Sequence, residues 1–284
     1  MNNVTIRRWS GRLAGAVAVI ALAAGFTAAP ATAAPPPPAP VYIALGDSYA
    51  AGTGGGQYTA PPAGLPATCL QTAESYPAVR GASMNLGCFG AKTTDVIDVA
   101  NGYSGVLAGA TVVTVTVGGN DVDSGQVALA CTASASSPAC SAALYNSLVV
   151  KLRQLPAKIK AMVATIKDKA PAARIVLTGY PRLFTVSAGL TAEQQQAAKS
   201  MNSAADLLNA TIAYSALVNR ARYVSVSEKF NGHGIGSADP WIVAPTGLCN
   251  LAINCSPSPF DAFHPTAAGY SGGYAAALQS ARVP

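Results

Sequence analysis

Histidine is nearly missing from this chain: His233 and His264 are the only two in 284 residues. No Cys-x-x-Cys pair accompanies them, so the ligand spacing of a structural zinc site is lacking and no metal is expected. Charge is sparse as well, at 11% of the chain. Eighteen basic against twelve acidic residues give +6, yet Arg7, Arg8 and Arg12 lie in the first 34 residues with no acid, leaving +3 for the remainder. That remainder carries no lysine or arginine cluster, which removes the electrostatic footprint of a nucleic-acid binder. Nucleotide loops are absent too. Gly52 and Gly54–Gly56 do not form Gly-x-Gly-x-x-Gly, and Ala91 separates Gly90 from Lys92 where a phosphate loop needs the two adjacent. No cofactor is expected, and no internal repeat is found.

What stands at the start is an export signal. The three arginines precede an uncharged apolar stretch from Leu13 to about Ala29, followed by the small residues Ala31-Thr32-Ala33, so residues 1–34 read as a secretory signal peptide. The paired arginines also fit a twin-arginine leader. A retained membrane anchor is disfavoured by the weakly apolar, Ala/Gly-rich composition. Residues 35–40 form a Pro-rich leader, and residues 41–284 are long enough for one α/β domain with a sizeable core.

All six cysteines, Cys69, Cys88, Cys131, Cys140, Cys249 and Cys255, fall in the exported part, where an even count implies disulfides. Fifteen connectivities are formally open. Nearest-neighbour pairing is expected because it closes three short loops, each contributing roughly 2–3 kcal/mol by restraining the unfolded chain. Apolar runs at 41–45, 84–88, 111–117, 174–179 and 222–226 alternate with helix-like stretches, a pattern of α/β folds. Amphipathic helices are expected over 144–169 and 192–219, the second with a capping box of Thr191 and Gln194. A closing helix is expected from Pro265 to Arg282. The stretches 50–75, 121–141 and 230–262 read as long irregular loops that wall a pocket.

Four segments carry chemistry. The strand at 41–45 runs directly into Gly46-Asp47-Ser48, which puts a serine hydroxyl at a strand end, where ligands of open α/β sheets bind. A serine is a weak nucleophile unless a base and an oxyanion site accompany it. His264 is the better base, since Asp261 stands three residues before it and Pro265 restrains its backbone. Asn120 follows the strand at 111–117 through Gly118-Gly119 and can donate its amide to developing negative charge. Gly90 follows the second strand, at 84–88, where its N–H can point into the same crevice. Each signal alone also fits a plainer role: a helix cap, an Asn-Asp turn or a glycine bend. Ser271 sits in a Gly-x-Ser-x-Gly match, but no strand precedes it and no histidine follows it.

Together, in this order, Gly-Asp-Ser, the glycine after the second strand, Gly-x-Asn-Asp and Asp-x-x-His resemble the blocks of the SGNH family of GDSL-type lipases and esterases. The resemblance spans residues 41–284 and is closest to secreted bacterial members, which also carry three sequential disulfides. It implies a three-layer α/β/α sandwich on a mostly parallel, about five-stranded, flavodoxin-like sheet. It also implies Ser48 as nucleophile, His264 as base, Asp261 as its orienting partner, and Gly90 and Asn120 with the Ser48 amide as oxyanion donors. Some relatives use a backbone carbonyl in place of the acid. Tyr49 stands where leucine gives the family its GDSL name, which leaves the contacts around the nucleophile open. The expectation is a secreted, extracellular, monomeric serine esterase or lipase that cleaves small-molecule or lipid esters through an acyl-enzyme, touching a lipid interface transiently. A carbohydrate O-acetyl esterase, a phospholipase and a binding module without turnover are the alternatives. An ordinary histidine base would make activity fall as pH drops through about 6–7.

Overall fold

β1 (Tyr42–Gly46) is buried along its whole length. In a strand, side chains alternate between faces, so Tyr42 and Ala44 join one apolar core while Ile43 and Leu45 join a second on the opposite face. A strand with two buried faces belongs to the interior of a parallel sheet. β1 occupies that place in the computed structural model, which describes residues 39–251, 255, 256 and 258–284. The stretch expected to be a signal peptide, residues 1–34, and all but the last two residues of the expected Pro-rich leader lie outside the described residues.

Four more strands complete the sheet: β2 (Met84–Gly87), β3 (Val112–Thr116), β4 (Arg174–Thr178) and β5 (Arg222–Val224). Every pairing is parallel and the spatial order is β2-β1-β3-β4-β5. This is the flavodoxin-like order, and its switch point lies at the C-terminal end of β1. There Gly46 is held between Gly87 and Thr116. A Cβ on Gly46, whose φ is +134°, would lie 2.2 Å from the Thr116 carbonyl oxygen, so only glycine fits.

Helices cover both faces. α1 (Ser48–Ala51) leaves the end of β1, α2 (Thr93–Gly102) follows β2, and α3 (Ser124–Ala133) follows β3. α4 (Pro138–Tyr145), α5 (Leu155–Lys169) and α6 (Ala192–Val218) come next. Leu155, Ile159, Met162 and Ile166 of α5 pack on the Ile43 face, whereas Tyr270, Tyr274 and Leu278 near the C-terminus pack on the Tyr42 face. α6 opens with the Thr191–Gln194 capping box.

Three expectations are corrected. The helix expected over 144–169 is interrupted by a π-turn at Asn146–Lys151 and a 3₁₀ turn at Leu152–Gln154, and α5 then starts with Pro156 in its first turn. Proline has no N–H for the carbonyl one turn back, so the helix changes register upstream of it. The stretch 121–141 is largely helical, and a disulfide between Cys131 and Cys140 ties α3 to α4. Pro265 does not begin a helix: it forms an antiparallel bridge with Ile242, and the helical segment starts at Ala267, after Thr266. The other disulfides join Cys69 to Cys88 and Cys249 to Cys255.

Candidate active site

Ser48 is the first residue of α1, and its sharp exit from β1 is set by Asp47. The Asp47 carboxylate accepts from the Tyr49 N–H at 2.9 Å and caps the helix. Its other oxygen accepts from the Tyr180 hydroxyl at 2.5 Å. Burial pushes Asp47 up to about 7, opposed by these donors and reinforced by the nearby Asp121 charge. Tyr180 Oη in turn accepts from the Gly119 N–H at 3.0 Å, so one phenol connects the serine turn to the Gly118-Gly119-Asn120 turn. Nothing in the sequence marks Tyr180; it is one tyrosine after one strand.

Asn120 projects from the end of β3, and its Nδ2 donates to the Ala91 carbonyl at 3.0 Å, which leaves its second amide proton free for a ligand. The next residue, Asp121, is buried and accepts from the Thr93 N–H at 2.9 Å and the Thr93 hydroxyl at 2.8 Å. Those bonds lock the start of α2 to the end of β3 and hold the Gly90 turn between them. Gly90 has φ +79°, faces open space, and lies two residues from the disulfide-bonded Cys88. Lys92, by contrast, is exposed and serves at the N-terminus of α2.

His264 reaches this point from 216 residues away, with Nε2 2.7 Å from Ser48 Oγ. Its backbone is fixed by exchange with one neighbouring segment: Phe263 N–H donates to Val243 O, and Val243 N–H to His264 O, both at 2.8 Å. Burial pushes the imidazole down to about 4, against the pull of the Ala262 and Asp261 carbonyls, the Asp261 charge and the Phe260 carbonyl. This differs from the ordinary histidine range expected from sequence, because Tyr49 and Phe89 crowd the ring at centroid distances of 5.1 and 5.8 Å.

The expected hydrogen bond from the imidazole Nδ1–H to the Asp261 carboxylate is not made. Its carboxylate accepts instead from the Tyr58 hydroxyl and, at 2.5 Å, from the Ser256 hydroxyl. His264 Nδ1 has no well-aligned partner among the described residues. The physical reason is local: Phe263 adopts φ +66°, which turns His264 away from the Asp261 side chain while keeping its N–H on the Asp261 carbonyl at 3.0 Å. His233 stays outside the cleft, stacked on Trp241 at 3.6 Å. Ser271 is exposed on the C-terminal helical segment.

Ser48, Gly90, Asn120 and His264 all line one cleft of about 260 Å³. Its far wall is apolar, with Leu129, Leu183 and an edge-to-face pair of Phe89 and Phe260 at 5.6 Å. Tyr49, Ser124, Ala128, Tyr180 and Leu183 also border an adjoining recess floored by Val127, Met201 and Leu208. The arrangement holds a hydroxyl, a neutral imidazole and amide donors around one point, beside a surface suited to hydrocarbon.

Residues 44–271 match the profile of the GDSL-like Lipase/Acylhydrolase family. The chain is 31% identical over 280 residues to Lipase 1 of Streptomyces coelicolor, covering 95% of this chain and 98% of that protein. Among solved structures, the extracellular lipase of Streptomyces rimosus superposes with a TM-score of 0.73 at 30% identity, over 86% of this chain and 100% of that one. Phospholipase A1 of Streptomyces albidoflavus superposes with a TM-score of 0.73 at 32% identity, over 86% of this chain and 99% of that one.

Proposed function

The chain belongs to the GDSL-like lipase/acylhydrolase family and is a carboxylic ester hydrolase, and from that premise we propose an exported serine lipase that works through an acyl-enzyme on Ser48. The observation that carries the proposal is the 2.7 Å contact of His264 Nε2 with Ser48 Oγ in a cleft shared with Gly90 and Asn120. His264 takes the serine proton as Oγ attacks the ester carbonyl, then returns it to the leaving alcohol. The tetrahedral oxyanion is held by the Ser48 and Gly90 amides and by Asn120 Nδ2. Water repeats the sequence on the acyl-enzyme and releases the acid.

The backbone carbonyls of Phe260 to Ala262 favour the imidazolium that forms when the serine proton is taken, and Asp261 contributes chiefly through its charge and through the loop it ties down. Apolar walls favour an ester with a hydrocarbon acyl chain over a sugar acetate. Likeness to a phospholipase A1 makes phospholipids the second substrate class to try. Export, with residues 1–34 removed, is supported by the leader's pattern and by three disulfides.

A fluorophosphonate probe tests the reading. The mature enzyme is expected to label stoichiometrically, Ser48→Ala not at all, and p-nitrophenyl esters to turn over faster with longer acyl chains than with acetate. Labelling that survives in Ser48→Ala would overturn the assignment of the nucleophile.

A further inference from the structure

Two consecutive residues of α1 hold the same distant histidine segment. Ser48 meets the imidazole, and the Tyr49 hydroxyl donates to the Phe263 carbonyl at 2.6 Å across 214 residues. Among the described residues, these are the two side chains that hydrogen-bond residues 262–264. Phe263 is held at φ +66°, a region that disfavours any residue with a Cβ and persists where surrounding structure over-determines it. Its N–H is fixed by Val243 and its carbonyl by Tyr49, so the strained turn that aims His264 is gripped at both ends.

The Tyr49 ring is itself immobilised. It meets Tyr180 edge-on at 5.1 Å, tilts against Tyr274 at 6.1 Å and covers one side of the His264 ring at 5.1 Å. Its backbone N–H is bonded to Asp47. A leucine, the residue in the family's name, would supply bulk here and no donor. Burial raises the phenol further above its ordinary range, so the hydroxyl stays a donor at every working pH.

We propose that Tyr49 is a positioning residue that sets the distance between base and nucleophile: its hydroxyl clamps the Phe263 carbonyl and keeps the imidazole seated over Ser48. The inference rests on the reading of Ser48 and His264 as the reacting pair. Tying base and nucleophile to one turn of one helix makes their geometry insensitive to movement of the loop before residue 261. Small errors in such geometry are costly, because proton transfer needs hydrogen-bond reach throughout the reaction.

The test is Tyr49→Phe, which removes the hydroxyl and keeps the ring, with Tyr49→Leu as a second variant. Tyr49→Phe is expected to lower kcat about tenfold, and to slow fluorophosphonate inactivation by a similar factor, with KM within about twofold of the parent enzyme. Tyr49→Leu should lose at least as much. A substrate-contact role for Tyr49 would place the loss in KM instead, and a loss in KM alone would overturn the proposal. So would kcat and inactivation rate within twofold of the parent in Tyr49→Phe.

A readout independent of turnover separates this inference from the esterase reading. With two histidines in the chain, His233→Gln assigns the His264 ring resonances by subtraction. Loosening the imidazole from its packed seat should move its NMR titration midpoint up in Tyr49→Phe. An unchanged midpoint would refute the clamp even if the parent enzyme hydrolysed every ester offered. A parent that neither labels nor turns over, with the midpoint shift intact, would instead refute the esterase reading.

Discussion

Asp261 and His264 stand three residues apart and face different ways: the carboxylate is occupied by the hydroxyls of Tyr58 and Ser256, and the imidazole Nδ1 has no hydrogen-bond partner among the described residues. In a triad, replacing the acid by its amide costs on the order of 10⁴ in kcat, because the histidine tautomer is lost. Here Asp261→Asn is expected to cost about tenfold or less, since Asn can still accept from Tyr58 or Ser256 and the change breaks no bond to the imidazole. Steady-state kinetics on a p-nitrophenyl ester decides the matter. A loss near 10⁴ would restore Asp261 as the direct partner of the imidazole.

The lowered basicity of His264 predicts where activity disappears. The base must be neutral, and burial holds its pKa at about 4. Its charge-neutral form therefore persists well below the ordinary histidine range. The acid limb of kcat/KM, which reports the free enzyme, is expected near pH 4, with activity at pH 5.5 close to that at pH 7. A limb at pH 6–7 would mean that water reaches the ring far more freely than the Tyr49 and Phe89 packing allows.

Much of this site could be read from the chain because its parts are local. Gly46-Asp47-Ser48 needs only a buried strand and a glycine that tolerates contact with Thr116, and both are written in consecutive residues. Asn120 and Gly90 are likewise each announced by the strand before them. Tyr180 was not legible, because its role depends on bonding two turns, Asp47 and Gly119, that are 72 residues apart. Asp261 misled for the opposite reason: a three-residue spacing places a carboxylate near an imidazole only if the intervening backbone is helical, and Phe263 is left-handed. Pro265 misled because a proline fits an extended bridge as well as a first helical turn. The interrupted helix before α5 was foreshadowed by Pro156, a position that helical periodicity alone ignores.

Asn120 already spends one amide proton on the Ala91 carbonyl, which fixes the orientation of its side chain before any ester arrives. A donor held in place in this way acts on the transition state with little reorganisation. Asn120→Ala is expected to lower kcat by about 10²–10³ while leaving KM nearly unchanged. A loss of less than tenfold would reduce Asn120 to a turn residue that merely bonds Ala91.

Asp47 and His264 also act on folding stability, with opposite signs. Folded Asp47 keeps its proton up to about pH 7, whereas in the unfolded chain the carboxyl releases it near 4. Between those values the folded state binds the extra proton, so this residue makes stability fall as pH rises. Folded His264 stays neutral down to about pH 4, whereas the unfolded imidazole binds a proton below about 6.5. Over nearly the same range this residue makes stability rise with pH, and in the parent enzyme the two largely offset each other. Removing either should expose the other. In Asp47→Asn, urea unfolding is expected to show stability rising by about 2–3 kcal/mol from pH 4 to 6.5, and in His264→Gln falling by a similar amount from pH 4 to 7. The same slope in both variants would mean that groups outside the site govern the acid response.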